Sequence, residues 1–538
     1  MQGAADFGPP MAVRANMGRR DGGEQAMKMP RVSGDARLFA DPARPAPSAV
    51  SGPMSATHAL GRRRRALLCS SALIGLFAIL PGVNPAQAQV TIDGGQTVTV
   101  PSVAQPSPWN IGADLYVGLS GPGALNIVSG GKVNGSNGFI GVSVGSNGKL
   151  VVDGFGSEWT GTGGLYTGVS GAGMLDVING GSVFSNGTSI IGDHAGSSGV
   201  LTVDGAQSIW KIGGNLIVGN SGAGTMNIRN GGAVSNSFGT VGAGAGSNGV
   251  VTVDGVGSIW TNDNSLYVGG LGTGSLNITN GGNVFSSDGG VISSSGASGA
   301  VTVDGVGSKW VISNNFNAGG NGTSTLTIKN GGVVSDAFGN IGGVTASNGA
   351  VMVDGAGSTW TNSSDLYVGS NGSGTLAISN GGSVSSVNGS VGGITGAGSS
   401  SPDSKGLATV DGTGSTWTNT GGLSVGHDGS GKLIVSNGGS VSSAYGEIGS
   451  HAGSGGFTEV DGDGSTWTNS GRLYVGLSGA GTLNVRHGGR ISSVGGSIGN
   501  DAGSSGTVAV DGAGSTWTNT GRLDVGGGGT GTLSITNG

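Results

Sequence analysis

Apolar and polar residues alternate along this chain in short pieces that Gly, Asn, Ser or Asp interrupt. In Thr482-Leu483-Asn484-Val485, Leu and Val fall on one face of an extended strand and Thr and Asn on the other. Three kinds of piece follow one another in fixed order: a Val-Gly or Ile-Gly piece, a Thr-Leu-Asn-Ile or Val-Thr-Val piece, and a Val-Ser-Ser or Trp-Thr-Asn piece. The set fills about 25 residues, as laying residues 473–493 over 496–519 shows. Three strands per 25-residue turn, with no convincing amphipathic helix after Ala88, predict a parallel β-helix.

A longer period is superimposed on the short one. The phrase Val510-Asp-Gly-Ala-Gly-Ser-Thr-Trp517 recurs with Asp153, Asp204, Asp254, Asp304, Asp354, Asp411, Asp461 and Asp511 in its second place, five of the seven intervals being 50 residues. Each Asp is followed by a Trp: Trp159, Trp210, Trp260, Trp310, Trp360, Trp417, Trp467 and Trp517. The expectation is an all-β, right-handed parallel β-helix (β-solenoid) with about 25 residues per rung in 50-residue double-rung repeats. Residues 115–538 would make about 17 rungs and a rod of roughly 80 Å at the inter-strand spacing.

In this alignment Trp517 shares a slot with Ile491, and both are flanked by Ser or Thr. An interior column is expected in which aromatic and aliphatic residues alternate from rung to rung; the other reading of the Trp residues is an exposed row that grips sugar rings. Asn-Gly-Gly recurs at Asn179, Asn230, Asn280, Asn330, Asn380 and Asn437, with Ser129 and His487 each replacing Asn once. These read as tight corners needing left-handed backbone, not as phosphate loops, which would have to open a helix. The Asp-Gly pairs read as turns. Calcium would want six to eight oxygens, and the G-G-x-G-x-D repeat of calcium β-rolls is absent.

Outside the repeat, residues 1–53 lack apolar periodicity and read as disordered or as an over-extended N-terminus, Met54 offering an alternative start. Residues 54–88 carry a signal-peptide pattern: Arg62 to Arg65, the apolar run Ala66 to Leu80, and the A-x-A site Ala86-Gln87-Ala88. The run is short for a membrane span and ends at Pro81-Gly82. Residues 89–114, with Pro101, Pro106 and Pro108, read as an N-terminal cap, and 115–538 as the repetitive body. Cys69, the one cysteine, lies in the apolar run, so the mature chain has none and its core owes nothing to disulfides. Beyond Ala88 there are 12 Lys and Arg against 24 Asp and Glu, a net charge of about −12. That balance, with the cations thinly scattered, excludes a nucleic-acid-binding stripe.

Candidate chemistry is sparse. His194, His427, His451 and His487 stand singly at loop-like places, and Asn220-Ser221-Gly222 superficially matches a protease serine but occupies the corner that reads Leu119-Ser120-Gly121 elsewhere. The repetition breaks at Gln207, where a Gly is replaced, and within 398–406, where seven extra residues fall. Neither assembles two carboxylates and a base, so no catalytic, cofactor-binding or metal-ligating residue and no cofactor is expected. A β-helical polysaccharide-active enzyme remains one alternative. An ice-binding solenoid is another, suggested by the T-W-T triplets at 359–361, 416–418, 466–468 and 516–518, although Lys211 and Val311 break that array.

The signal pattern followed by units of the type L-Y-V-G-x-S-G-x-G-T-L-x-I-x-N-G-G-x-V-S-S and V-D-G-x-G-S-x-W-T-N resembles the passenger of a monomeric, type V secretion autotransporter over about residues 89–538. The resemblance implies export across the inner membrane and passage through a C-terminal translocator barrel. It also implies display of a β-helical stalk at the cell surface, where such passengers commonly mediate adhesion, aggregation or biofilm formation. The partners implied are ligands on a host or neighbouring cell, protein or glycan, with no nucleic acid. No barrel pattern occurs in this sequence, which ends at Asn537-Gly538 inside a repeat, so the expectation is a passenger incomplete at its C-terminal end and, made alone, periplasmic.

Overall fold

The structure is a computed structural model that describes residues 89–291, 294, 296–393 and 403–538. The signal-peptide pattern, the N-terminal 53 residues and most of the seven-residue excess lie outside the described residues. All described residues belong to one compact unit.

The chain coils through three strands per turn. One full turn runs Leu266–Val268, Thr273–Thr279 and Asn283–Ser286, and the next repeats it as Gly289–Val291, Ser298–Asp304 and Lys309–Ile312. Each strand pairs in parallel with its equivalent one turn on: Leu266 with Gly289, Leu276 with Val301, Val284 with Trp310. Among the described residues this builds three faces of 18, 18 and 17 strands. Each face is an open ladder; the second begins at Gln96–Val100 and ends at Thr530–Thr536, both paired on one side only. The protein is therefore an all-β parallel β-solenoid of about 17 turns with about 25 residues per rung. Residues 89–114 supply the first of these turns, through Val90–Ile92, Gln96–Val100 and Trp109–Asn110.

Alternation along the strands decides what enters the core. In Ala480–Arg486, Leu483 and Val485 are fully buried while Asn484 between them faces outward. On the third face Val133, Trp159, Val183, Trp210, Val234 and Trp260 stack in successive turns. The column continues to Ile491 and Trp517. Trp159, Trp210, Trp260, Trp310, Trp360, Trp417 and Trp467 are all 0% exposed, so this column is interior and is closed to sugars. Burial of about 200 Å² per indole contributes at most about 5 kcal/mol each.

A buried indole N–H needs an acceptor, and the preceding turn provides one at most levels but not at Trp417, where Ser386 Oγ donates to Asn419 Oδ1 instead. Trp210 donates to Ser185 Oγ at 3.2 Å, Trp260 to Asn236 Oδ1 at 2.7 Å, and Trp467 to Ser443 Oγ at 3.1 Å. Trp159 meets Gly135 in that slot, and its N–H has no partner. The slot beneath Trp360 holds Asp336, 5% exposed, whose Oδ2 accepts from the indole at 2.6 Å while Oδ1 has no partner. Desolvation dominates over that hydrogen bond and pushes the Asp336 carboxyl up to about 7.

The turns approach so closely that a column of glycines opens the second-face strands. A Cβ on Gly249 would stand 2.2 Å from the Val218 carbonyl oxygen and 2.5 Å from Gly242 N. The same column holds Ser324 between Gly299 and Gly349. There the preceding corner has opened, Gly319 having φ 133° where Gly269 has 79°.

Gly249→Ala is thus expected to destabilise the chain by about 3 kcal/mol through overpacking against backbone. Gly455→Ala, with open space around it and an ordinary φ, should change stability by less than about 0.5 kcal/mol. Denaturant midpoints of the two variants against the parent check the contrast. For Asp336 the folded pKa lies above the unfolded value, so the protonated form is the one the fold keeps. Stability is then lost as pH rises from about 4 to about 7, by up to about 1.4 kcal/mol per unit. Asp336→Asn, which copies Asn236, should raise the melting midpoint at pH 8 and flatten its dependence between pH 5 and pH 8. A parallel pH profile in parent and variant would contradict this.

Candidate functional site

The Asp column is built into the corners. Each of the eight phrase aspartates accepts, on Oδ1, a hydrogen bond at 2.6–2.7 Å from the residue that opens the Asn-Gly-Gly corner of the following turn. The partners are Asn179, Asn230, Asn280, Asn330, Asn380, Asn437 and Asn537, with His487 Nδ1 in the same place against Asp461. The six internal Asn residues have φ of 52–54° and His487 has 47°, the left-handed backbone that makes the corner. Hydrogen bonds from Ser379 and Asn380 hold the Asp354 carboxyl below its ordinary range, and those from Thr536 and Asn537 do the same for Asp511. The phrase serine completes the unit: Ser258 Oγ donates to Asp254 O at 2.6 Å and accepts from Gly231 N at 3.1 Å.

Other residues singled out by the sequence are also corner residues. Gln207 is exposed and holds a left-handed φ of 70° where other turns use Gly. Ser221 donates its backbone N–H to Asp193 O. His194 is exposed, and its Nδ1 faces Val169 O at 2.9 Å, Ser170 Oγ at 3.2 Å and Asp193 Oδ2 at 3.9 Å. One nitrogen faces all three groups, whereas activating a serine needs the two ring nitrogens on different partners. The outward Thr row is mixed: Thr261 sits between Ser235 and Phe285, and Lys211 between Phe184 and Ser235.

Stacking brings together one group that the linear sequence leaves apart. His427 and Asp428 lie at a corner, and His451 lies over them on the next turn, its backbone N–H donating to His427 O at 3.2 Å. His451 Nδ1 is 2.7 Å from Asp428 Oδ1, and His427 Nδ1 is 3.3 Å from Asp428 Oδ2. The second contact is longer and is the one polar contact of the buried His427 Nδ1, which has no closer hydrogen-bond partner. The two rings meet edge to face with centroids 4.2 Å apart. His427 is 7% exposed, whereas the His451 side chain is 54% exposed. Desolvation first, and the neighbouring His451 second, hold the His427 imidazole below its ordinary pKa despite Asp428 and Glu447 nearby. Donor atoms of the three residues all lie within 4.8 Å of one another. His451 follows Asp428 by 23 positions, a spacing that differs from the 26 of the Asp and Asn corner pairs, so the group becomes visible only when the turns are stacked.

No protein-family model and no curated protein matches the chain. Among solved structures, that of a TibC-catalyzed hyper-glycosylated TibA55-350 fragment is similar, at 18% identity and a TM-score of 0.38, over 66% of this chain and 97% of that one. At this distance the fold assignment rests on the strand registers themselves.

One oxygen of each column aspartate, Oδ1, is already engaged in a corner hydrogen bond, and the six to eight oxygens that calcium takes are not gathered around the other. Adding calcium to the full chain is accordingly expected to leave its melting midpoint unmoved; a rise of several degrees would show that the column takes up the ion.

Proposed function

We propose that this chain is an exported β-solenoid rod, displayed at the cell surface as an autotransporter passenger, that serves as an adhesin or structural spacer in cell adhesion and aggregation. The observation that supports the reading is the repetition of one corner solution, Asp on one turn bonded to Asn or His on the next, along the whole body. Such a coil presents the same outward chemistry at regular intervals, which suits reach and multivalent contact. Export fits the signal-peptide pattern at 54–88, the cysteine-free body and the net charge of about −12 beyond Ala88. The core is continuous, and it requires no disulfide to hold it. A chain that crosses membranes unfolded and coils afterwards needs local, repeated contacts of this kind.

The test is display and aggregation. Produced in a Gram-negative host with a translocator barrel joined to its C-terminal end, the full chain should be labelled by antibody on intact cells and should speed the settling of the culture. Strong surface labelling with settling unchanged and no binding to host-cell or glycan surfaces would reject the adhesive role. Labelling that appears only after permeabilisation would reject display. Release of reducing sugar from polysaccharide by the purified chain would favour the enzyme instead.

A further inference from the structure

We propose that His427, Asp428 and His451 form a binding site for a divalent first-row transition-metal ion of the zinc class, with one coordination position left for water. The donors are two imidazoles and a carboxylate. That set selects zinc or its transition-series neighbours over calcium and magnesium, which take oxygen cages. A tetrahedral ion bound at about 2.1 Å places its donors about 3.4 Å apart. His451 Nδ1 lies 2.7 Å from Asp428 Oδ1 and His427 Nδ1 lies 3.3 Å from the other oxygen, Oδ2, and one donor atom from each residue stands within 4.8 Å of the other two.

A second observation points to a missing ligand. His427 Nδ1 is buried and has no hydrogen-bond partner, although it faces the carboxylate. A buried polar atom without a hydrogen bond is costly, and a cation between the ring and Asp428 removes that cost.

Maintenance of the repeat does not account for these residues. The turn-equivalents of His427 are Gly393, Ser450 and Leu477, and those of His451 include Ser478 and Asp501, each making the same backbone bond to the turn before. Glu447, which accepts from Ser424 Oγ at 3.0 Å and acts electrostatically on His427, adds negative potential beside the cluster. The ion would join two turns through side chains, His427 and Asp428 on one and His451 on the next. This inference does not depend on the adhesive reading.

The experiment titrates zinc chloride into the full chain after chelator treatment and dialysis, read by calorimetry. Cobalt(II) serves as the spectroscopic probe. Expected are one equivalent of zinc bound with micromolar or tighter affinity and the visible absorption of four-coordinate cobalt. Both should be lost in His427→Ala and His451→Ala, and affinity should fall at least tenfold in Asp428→Asn. His194→Ala and His487→Ala should bind as the parent does. If His427→Ala fails to fold, the exposed His451→Ala and the isosteric Asp428→Asn still decide, with circular dichroism confirming their folds. Absence of saturable binding, equal binding by the parent and His451→Ala, or displacement of zinc by an equal concentration of calcium would overturn the proposal.

Discussion

Register between successive turns is the constraint on which the rest of this structure depends. Every strand must meet its equivalent one turn on with the same residue opposite, because a slip of one position would turn Leu483 and Val485 outward and bury Asn484. The corners enforce that register. Asp on one turn and Asn or His on the next are matched by a side-chain hydrogen bond, and a glycine column lets the turns approach to where a Cβ would collide with backbone. Where Ser324 replaces a glycine in that column, the adjoining corner relaxes to φ 133°, which shows how local the accommodation is.

A core built this way has to satisfy polar atoms at each level as well as fill space. The indoles bring large apolar area with one donor each, which the turn below meets at Trp210, Trp260 and Trp360 and leaves unmet at Trp159 and Trp417. Ser, Asn and Asp all serve in that slot, but with different consequences. Ser185 and Asn236 are neutral acceptors, whereas Asp336 carries a carboxyl that burial keeps protonated well above its ordinary range. The same geometry thus yields a pH-sensitive turn from a change of one residue type.

Repetition and its exceptions have different meanings for function. A repeated outward surface suits reach and many weak contacts; a group that repetition does not require, such as His427, Asp428 and His451, points to chemistry at one level of the rod. Both can coexist because each turn contacts chiefly its neighbours, so a local site imposes little on turns farther along.

The three-strand turn, the inward Leu, Val and Trp positions and the Gly and Asn corners are all legible in the order of residues. All of these follow from alternation and spacing within one turn, which local chemistry dictates. The alternation of Trp with Val or Ile down one face was legible too, from laying one half-repeat on the other. Which side chains meet between turns depends on how the turns stack. Leu266 pairs 23 positions on with Gly289, Thr273 pairs 25 on with Ser298, and Asn283 pairs 26 on with Lys309, because the three corners differ in length from turn to turn. Contacts between turns therefore share no single spacing to search for. The Asp254 to Asn280 bond keeps one spacing of 26 in every repeat, yet it, the acceptor that Asp336 offers to Trp360, and the meeting of His427 and Asp428 with His451 emerge only once the turns are stacked, because the chain alone does not say which columns face each other.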